Sequence, residues 1–160
     1  WLSAIFWRGE ADKLVKENFA FFKEQLIRLS KINFKINILI AHGDFIKNNM
    51  LVKKNKVFAF LDFDNLKIAP RVEDIAYTLR FECVSRKGID YEKINLFLKD
   101  YEKINKLSKK EKDMIMPLMI RANCILFWWM YAEMKKGQNK KYEMIDWTVK
   151  STKMLREELK

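Results

Sequence analysis

The sequence predicts a mainly α-helical fold that carries one or two short β-hairpins. Apolar residues recur every three or four positions over most of the chain, which is the pattern of amphipathic helices. Short β-branched and aromatic runs bounded by polar segments fall between residues 36 and 61. Because 49% of the 160 residues are hydrophobic, the chain can form a packed core, and we predict a single domain over residues 1–160.

The first part of the chain contains one helix followed by three short apolar runs. The helix is predicted over residues 11–29, where the apolar side chains are Ala11, Leu14, Val15, Phe19, Phe22, Leu26 and Leu29. Residues 36–41 are typical of a strand. Residues 50–52 and 57–61 predict a hairpin whose turn is Lys-Lys-Asn-Lys. Residues 62–69 are polar, and we expect a loop there.

The rest of the chain is predicted to be helical, with helices over residues 71–84, 90–105, 108–136 and 140–158. Pro70 suits the opening of the first of these helices. Ser108 and Glu111 have the spacing of a capping box, which starts the third. Pro117 is expected either to kink that helix or to end a first short one, and Gly137 is expected to stop it.

The composition narrows the classes of function. The chain has 32 Lys and Arg against 21 Asp and Glu, which gives a net charge of +11 with the single His neutral. This excess reflects either a lysine-rich composition alone or a surface for nucleic acid or acidic substrates. Two cysteines are too few for a disulfide scaffold. The 4 glycines are scattered singly, which argues against a glycine-rich phosphate loop within this chain.

Targeting and membrane signals are weak. No basic segment followed by an apolar one opens the chain, so no signal peptide is predicted. The most apolar stretch, residues 114–134, is interrupted by Pro117 and by charged and polar residues, which favours a buried helix over a membrane span. We expect a cytoplasmic protein without a membrane partner. Because the chain starts at Trp1, we also expect it to be a piece of a longer protein.

Two polar loops follow short strands in the middle of the chain. The first reads His-Gly-Asp-Phe-Ile-Lys-Asn-Asn over residues 42–49, and the second contains Asp62 and Asp64. Phosphoryl transfer needs an Asp that accepts a hydroxyl proton, an Asn five positions later, and a second Asp brought in by a hairpin. Amide and carboxylate oxygens are also the ligands that Mg²⁺ prefers. The spacing predicts such a site, whereas each carboxylate taken alone is equally typical of a turn.

Three linked segments carry a resemblance to a known family: HGDFIKNNML, VFAFLDFDN and PRVEDIAYTLR, in this order. They resemble the C-terminal lobe of the aminoglycoside phosphotransferase and choline kinase-like family, which shares the protein kinase fold and phosphorylates small molecules. The resemblance implies the C-terminal, helical lobe of a protein kinase-like fold. It also implies ATP and Mg²⁺ as cofactors and a small-molecule hydroxyl as the acceptor. Asp-Phe-Asp stands where protein kinases have Asp-Phe-Gly, which favours the small-molecule branch.

The resemblance implies roles for individual residues. Asp44 matches the catalytic base, and Asn49 and Asp62 match the two metal ligands. His42 matches a histidine that helps to hold the loop. Asp74 matches a buried carboxylate that braces the loop through backbone N–H groups. The last two also have purely structural interpretations, as a histidine with satisfied hydrogen bonds and as an Asp that stabilises the start of a helix.

The remaining candidate site residues each allow more than one role. Lys47 lies inside the first loop, where its charge either helps to bind the phosphates of ATP or is only solvated. Asp64 is a candidate for substrate binding. Trp128 and Tyr131 lie three positions apart on one helix face. They either line the acceptor pocket, with cation–π contacts, or pack in the core.

The family's N-terminal lobe, which binds most of the ATP, has no counterpart in the sequence. We therefore expect the chain to be the catalytic-loop half of a longer enzyme, with its own N-terminal lobe as a partner, and to be inactive alone. An alternative is a non-catalytic kinase-like binding protein or a spore-coat-associated protein, since the family includes spore-associated members. Nucleic-acid binding through the +11 charge is a third hypothesis, which lacks a recognition motif.

Overall fold

A computed structural model describes residues 2–136 and 142–159, with the side chains of residues 2–8 left out. The described residues form α1 (Leu2–Ser30), β1 (Ile38–Ala41), β2 (Met50–Lys53), β3 (Lys56–Phe60), β4 (Lys67–Pro70), α2 (Val72–Cys83), β5 (Val84–Ser85), β6 (Gly88–Ile89), α3 (Tyr91–Tyr101), α4 (Lys109–Lys135) and α5 (Tyr142–Glu157). The predicted fold class, mainly helical with short hairpins, is confirmed. Gly137 and Lys140, the predicted stop of one helix and start of the next, lie outside the described residues.

The described residues contain three antiparallel strand pairs: β1 with β4, β2 with β3, and β5 with β6. The predicted hairpin is β2–β3, and its turn places Lys54 and Asn55 at φ 49° and 59°, the left-handed pair typical of tight hairpins. The prediction of a loop over residues 62–69 is wrong at its end. Lys67–Pro70 is a strand, in which Ile68 pairs with Ile40 of β1. The short β5–β6 hairpin was also not predicted, because each strand has only two residues.

The starts of α3 and α4 follow the predicted capping signals, whereas Pro70, the residue expected to open α2, ends β4. Asp90 accepts a hydrogen bond from the backbone N–H of Lys93 at 2.9 Å and caps α3. Before α4, the backbone N–H of Ser108 donates to Glu111 at 2.8 Å, and the Glu111 N–H returns a bond to the Ser108 hydroxyl at 3.3 Å. This is the predicted capping box. The helix continues through Pro117, so of the two alternatives for this residue, the end of a first short helix is wrong.

The chain folds into two compact units, residues 33–119 and residues 1–32 with 120–160. Buried side chains of the unit 33–119 come mainly from α2 and the first part of α4, and include Val72, Ile75, Leu79, Met114 and Leu118. Ala41 of β1 and Ala69 of β4 are buried as well. In the other unit, Phe22 of α1 stacks on Phe127 of α4 with ring centres 4.0 Å apart. Met130, Ile145 and Leu155 are buried there as well. The single domain expected over residues 1–160 stays a prediction.

Among the described residues, one helix, α4, is long and apolar enough to cross a membrane by length and composition alone. The core helix of a soluble protein passes the same test. Its apolar side chains at Met114, Leu118, Phe127 and Met130 are buried within the protein. This burial fits the expected core helix.

Candidate active site

The first loop begins where β1 ends, and a carboxylate from α2 holds it. Asp74 accepts hydrogen bonds from the backbone N–H groups of His42 and Gly43, each at 2.8 Å. Asp74 lies in the first turn of α2, where the positive end of the helix dipole stabilises a carboxylate. Both interpretations of Asp74 that the sequence allowed therefore describe its geometry. The loop backbone is anchored to the start of α2.

His42 connects the first loop to the second. Its Nε2 lies 3.0 Å from the carbonyl oxygen of Leu61, and its Nδ1 lies 3.3 Å from the backbone nitrogen of Asp44. Since a carbonyl can only accept and a backbone N–H can only donate, these contacts make Nε2 the donor and Nδ1 the acceptor. The side chain is buried, and its ring packs on Phe63 with ring centres 4.9 Å apart. His42 therefore links the two loops through contacts at both of its ring nitrogens.

Gly43 allows the two loops to approach closely. Its φ is +80°, a conformation that L side chains rarely adopt. A Cβ atom at this position would lie 2.2 Å from the carbonyl oxygen of Asn65 in the second loop. Only glycine fits here without moving the backbone of either loop.

Asp44 and Asn49 meet across the first loop. The Asn49 Nδ2 donates to the Asp44 side-chain Oδ2 at 2.8 Å and to the Asp44 backbone oxygen at 2.9 Å. A short 3-10 turn, Lys47–Asn49, turns the chain back so that these groups face each other. The amide nitrogen is thus engaged by Asp44, and the amide oxygen of Asn49 is the atom suited to bind a metal ion.

The backbone just before Asp62 lies beside that of Asn49. The backbone N–H of Leu61 donates to the carbonyl oxygen of Asn49 at 2.9 Å, so the two predicted metal ligands start from neighbouring points. Asp62 has φ 60° and ψ 69°, an uncommon left-handed conformation for a residue other than glycine. A strained backbone of this kind is often found at functional sites.

Two other predicted site residues lie on the surface of these loops. Lys47 forms an ion pair with Glu82 of α2, with the Nζ 3.3 Å from a carboxylate oxygen, and its side chain is 76% exposed. Asp64 lies in the 3-10 turn Phe63–Asn65 and is exposed. Both positions are open to a ligand that approaches from solvent.

Two neighbours of Asp44 were not singled out from the sequence. Tyr77 of α2 lies beside Asp44. The pKa of Tyr77 is raised to about 12, mainly because its hydroxyl is buried and also because of the negative charge of Asp44. Thr78 donates a hydrogen bond to the backbone oxygen of Phe45. Helical spacing places positions 77 and 78 on the same face as Asp74. Once Asp74 is assigned to the loop, this spacing is the signal that points to its two neighbours.

The two aromatic candidates for substrate binding lie in the unit formed by residues 1–32 and 120–160. Trp128 packs edge-on against Phe19, with ring centres 5.9 Å apart. The Tyr131 hydroxyl donates to Asp12 at 2.7 Å, which lowers the pKa of Asp12 and raises that of Tyr131. Both side chains have packing partners inside this unit, and their role in substrate binding stays a prediction.

Two comparisons with known proteins bear on this geometry. Residues 9–104, or 96 of the 160 residues, match the phosphotransferase enzyme family. The structure is similar to choline kinase from Cryptosporidium parvum Iowa II, with a TM-score of 0.58 and 15% sequence identity. This match covers 98% of the chain and 55% of that choline kinase, so the chain spans about half of its length. No curated protein matches the sequence.

The family match includes both loops and α2, which are the segments that carried the resemblance. The structural similarity supports the fold, a helical lobe of the kinase-like type. The resemblance is therefore confirmed. The chain belongs to the phosphotransferase enzyme family.

Proposed function

We propose that the protein is an ATP-dependent phosphotransferase whose acceptor is a hydroxyl group of a small molecule. The observation that carries the proposal is the contact between Asp44 and Asn49, with the Asn49 Nδ2 2.8 Å from the Asp44 Oδ2. It joins a candidate base to a candidate metal ligand at the spacing that phosphoryl transfer needs. The family match supports the same reaction class.

The base in this proposal is Asp44. Its carboxylate accepts the proton of the acceptor hydroxyl as the oxygen attacks the γ-phosphoryl group of ATP, whose bond to the bridging oxygen breaks so that ADP leaves. Two features orient it: the bond from Asn49, and the loop backbone that Asp74 holds on the preceding side. Phosphoryl transfer depends mainly on positioning and charge neutralisation. A carboxylate held in this way fits such a role.

The residues present also fit Mg²⁺. Asn49 offers an amide oxygen and Asp62 a carboxylate, which are hard oxygen ligands of the kind that Mg²⁺ prefers. Such a pair suits Mg²⁺ that also binds water and phosphate oxygens. Bound there, the ion neutralises phosphate charge during the transfer. Lys47, on the exposed surface of the loop, is proposed to bind the phosphates of ATP from the same side.

We also propose that the whole protein has an N-terminal lobe that packs against this chain. Large apolar side chains between residues 38 and 68 are exposed, and the most exposed are Ile40 at 71%, Phe58 at 73% and Ile68 at 80%. Exposed apolar patches of this kind usually mark an interface. We assign this surface to the nucleotide and the N-terminal lobe, and expect the chain alone to have little activity.

The two buried free thiols, Cys83 and Cys124, fit the proposed cytoplasmic setting.

The test is a turnover screen of the full-length protein with Mg-ATP and a panel of hydroxylated metabolites. Asp44→Asn is expected to lower kcat on the best acceptor by about 10²–10⁴-fold, because the general base is lost. Binding of Mg-ATP should change little, since Asn49 and Asp62 remain. The matched control is Asp100→Asn, at an exposed carboxylate of α3, which should leave turnover unchanged.

The outcomes separate the candidate functions. Turnover that survives in Asp44→Asn would contradict the assignment of the base. A wild-type protein that binds Mg-ATP and transfers no phosphate to any acceptor would favour the non-catalytic kinase-like binding protein instead. Binding of RNA or DNA with a steep salt dependence would be needed to revive the nucleic-acid hypothesis.

A further inference from the structure

A buried hydroxyl on α2 contacts the loop on the far side of Asp44. The side chain of Thr78 donates to the carbonyl oxygen of Phe45, the residue that follows Asp44. Thr78 is 7% exposed, so water competes little for this bond. The same hydroxyl lies 2.9 Å from the carbonyl oxygen of Asp74, one helical turn earlier. The two carbonyls share its single proton.

This bond completes the attachment of the loop to α2. Asp74 holds the backbone up to Gly43, and Thr78 holds it at Phe45. Asp44 lies between these two points, so its backbone is fixed from both sides. Positions 74 and 78 are four apart, and helical geometry puts them on one face of α2.

We propose that Thr78 is a positioning residue for Asp44: by fixing the carbonyl of Phe45, it sets the direction of the Asp44 carboxylate. The inference rests on the function proposed above. A reaction that depends on positioning is sensitive to small shifts, and a displacement of about 1 Å costs on the order of 100-fold in rate. The contact is with the backbone beside the base and not with the proposed ligands of Mg-ATP. Its loss should therefore lower kcat and leave nucleotide affinity nearly unchanged.

The matched pair Thr78→Val and Thr78→Ser separates the hydroxyl from the volume of the side chain. In the full-length protein, Thr78→Val should lower kcat by about ten-fold, less than a full misplacement of the base would. The KM for Mg-ATP should stay near the wild-type value. Thr78→Ser keeps the hydroxyl and should restore most of kcat. The control is Thr152→Val in α5, whose hydroxyl donates to the carbonyl oxygen of Thr148 in the same helix at 2.6 Å. This change should leave kcat unchanged.

Hydrogen exchange provides a readout that needs no turnover. Thr78→Val should speed exchange of the backbone amides over residues 42–46 and leave those of α3 unchanged. The inference is overturned if exchange in the loop is unchanged, if kcat is unchanged, or if Thr78→Ser is as slow as Thr78→Val. A wild-type protein without turnover would refute the proposed function. In that case the exchange rates alone decide whether Thr78 holds the loop.

Discussion

Two carboxylates of the unit 33–119, Asp74 beside the candidate site and Glu111 away from it, each accept hydrogen bonds from residues that are distant in the sequence. Glu111 accepts from the guanidinium of Arg71 at 2.5 and 3.0 Å and from the amide of Asn37 at 2.8 Å. Its side chain is 1% exposed, and the hydrogen bonds donated by Arg71 hold the pKa of Glu111 well below its usual range. Asp74 is partly exposed and accepts hydrogen bonds from two neutral donors, the backbone N–H groups of His42 and Gly43.

The difference between the two lies in the partner. A buried ion pair that loses one member leaves the other charge uncompensated, which destabilises the whole fold. A carboxylate bound to backbone N–H groups instead fixes the path of one loop. We therefore expect Glu111 to matter most for stability and Asp74 to matter most for the reaction.

The largest expected effect on stability is that of Glu111→Gln. The change leaves the Arg71 charge without its counter-ion and should lower the free energy of unfolding by about 3–5 kcal/mol. Urea unfolding of the two proteins measures this difference. The matched control is Glu92→Gln, at an exposed carboxylate in the first turn of α3. A loss no larger than the roughly 1 kcal/mol of a surface pair would contradict the role given to Glu111.

The same two proteins should differ in their response to acid. The pKa of Glu111 is lower in the folded protein than its ordinary value of 4.5, so the unfolded chain takes up the proton first as the pH falls. The stabilisation is fully present above that ordinary value and is lost towards the lower, folded value. Between about pH 5 and pH 3, the stability of the wild type should fall more steeply than that of Glu111→Gln. Parallel curves would refute the pairing.

Asp74→Asn comes next in size. The amide replaces one acceptor oxygen with a donor, which faces a backbone N–H and leaves it unsatisfied. The free energy of unfolding should fall by about 1–3 kcal/mol, less than in Glu111→Gln. Turnover of the full-length protein should fall even where the variant is fully folded. Asp90→Asn is the control, because asparagine caps a helix as well as aspartate does. Normal turnover in folded Asp74→Asn would break the contrast with Glu111.

Local signals explain what the sequence predicted well. The capping box of Ser108 and Glu111 needs only a spacing of three residues, and the structure contains it. The wider partners of Glu111, Arg71 and Asn37, come from distant positions, and nothing in their spacing marks them. β4 was missed for the same reason: it is short and polar at its start, and its partner β1 is remote in the chain.

In the candidate site, too, the contacts within the first loop could be predicted from the sequence, and the contacts between that loop and α2 could not be predicted from spacing alone. The spacing of Asp44 and Asn49 was visible in the sequence, and the structure brings their side chains together. Asp74 was assigned through the resemblance, because its contact with His42 crosses from α2 to the loop. Thr78 was missed because its role depends on the carbonyl of Phe45, and no sequence motif reports where a backbone oxygen points.

The smallest expected effect on stability is that of Lys47→Met, which extends the comparison to the surface of the loop. Lys47 pairs with Glu82 at 3.3 Å with 76% of its side chain exposed, and exposed pairs contribute about 0–1 kcal/mol. Unfolding by urea should therefore be nearly unchanged. If Lys47 binds phosphate, as proposed, the KM for Mg-ATP should rise in the full-length protein, while Lys99→Met, at an exposed position of α3, leaves it unchanged. An unchanged KM would leave Lys47 only its ion pair with α2, and the proposed binding of phosphate in these loops would then depend on the metal ion that Asn49 and Asp62 are proposed to hold.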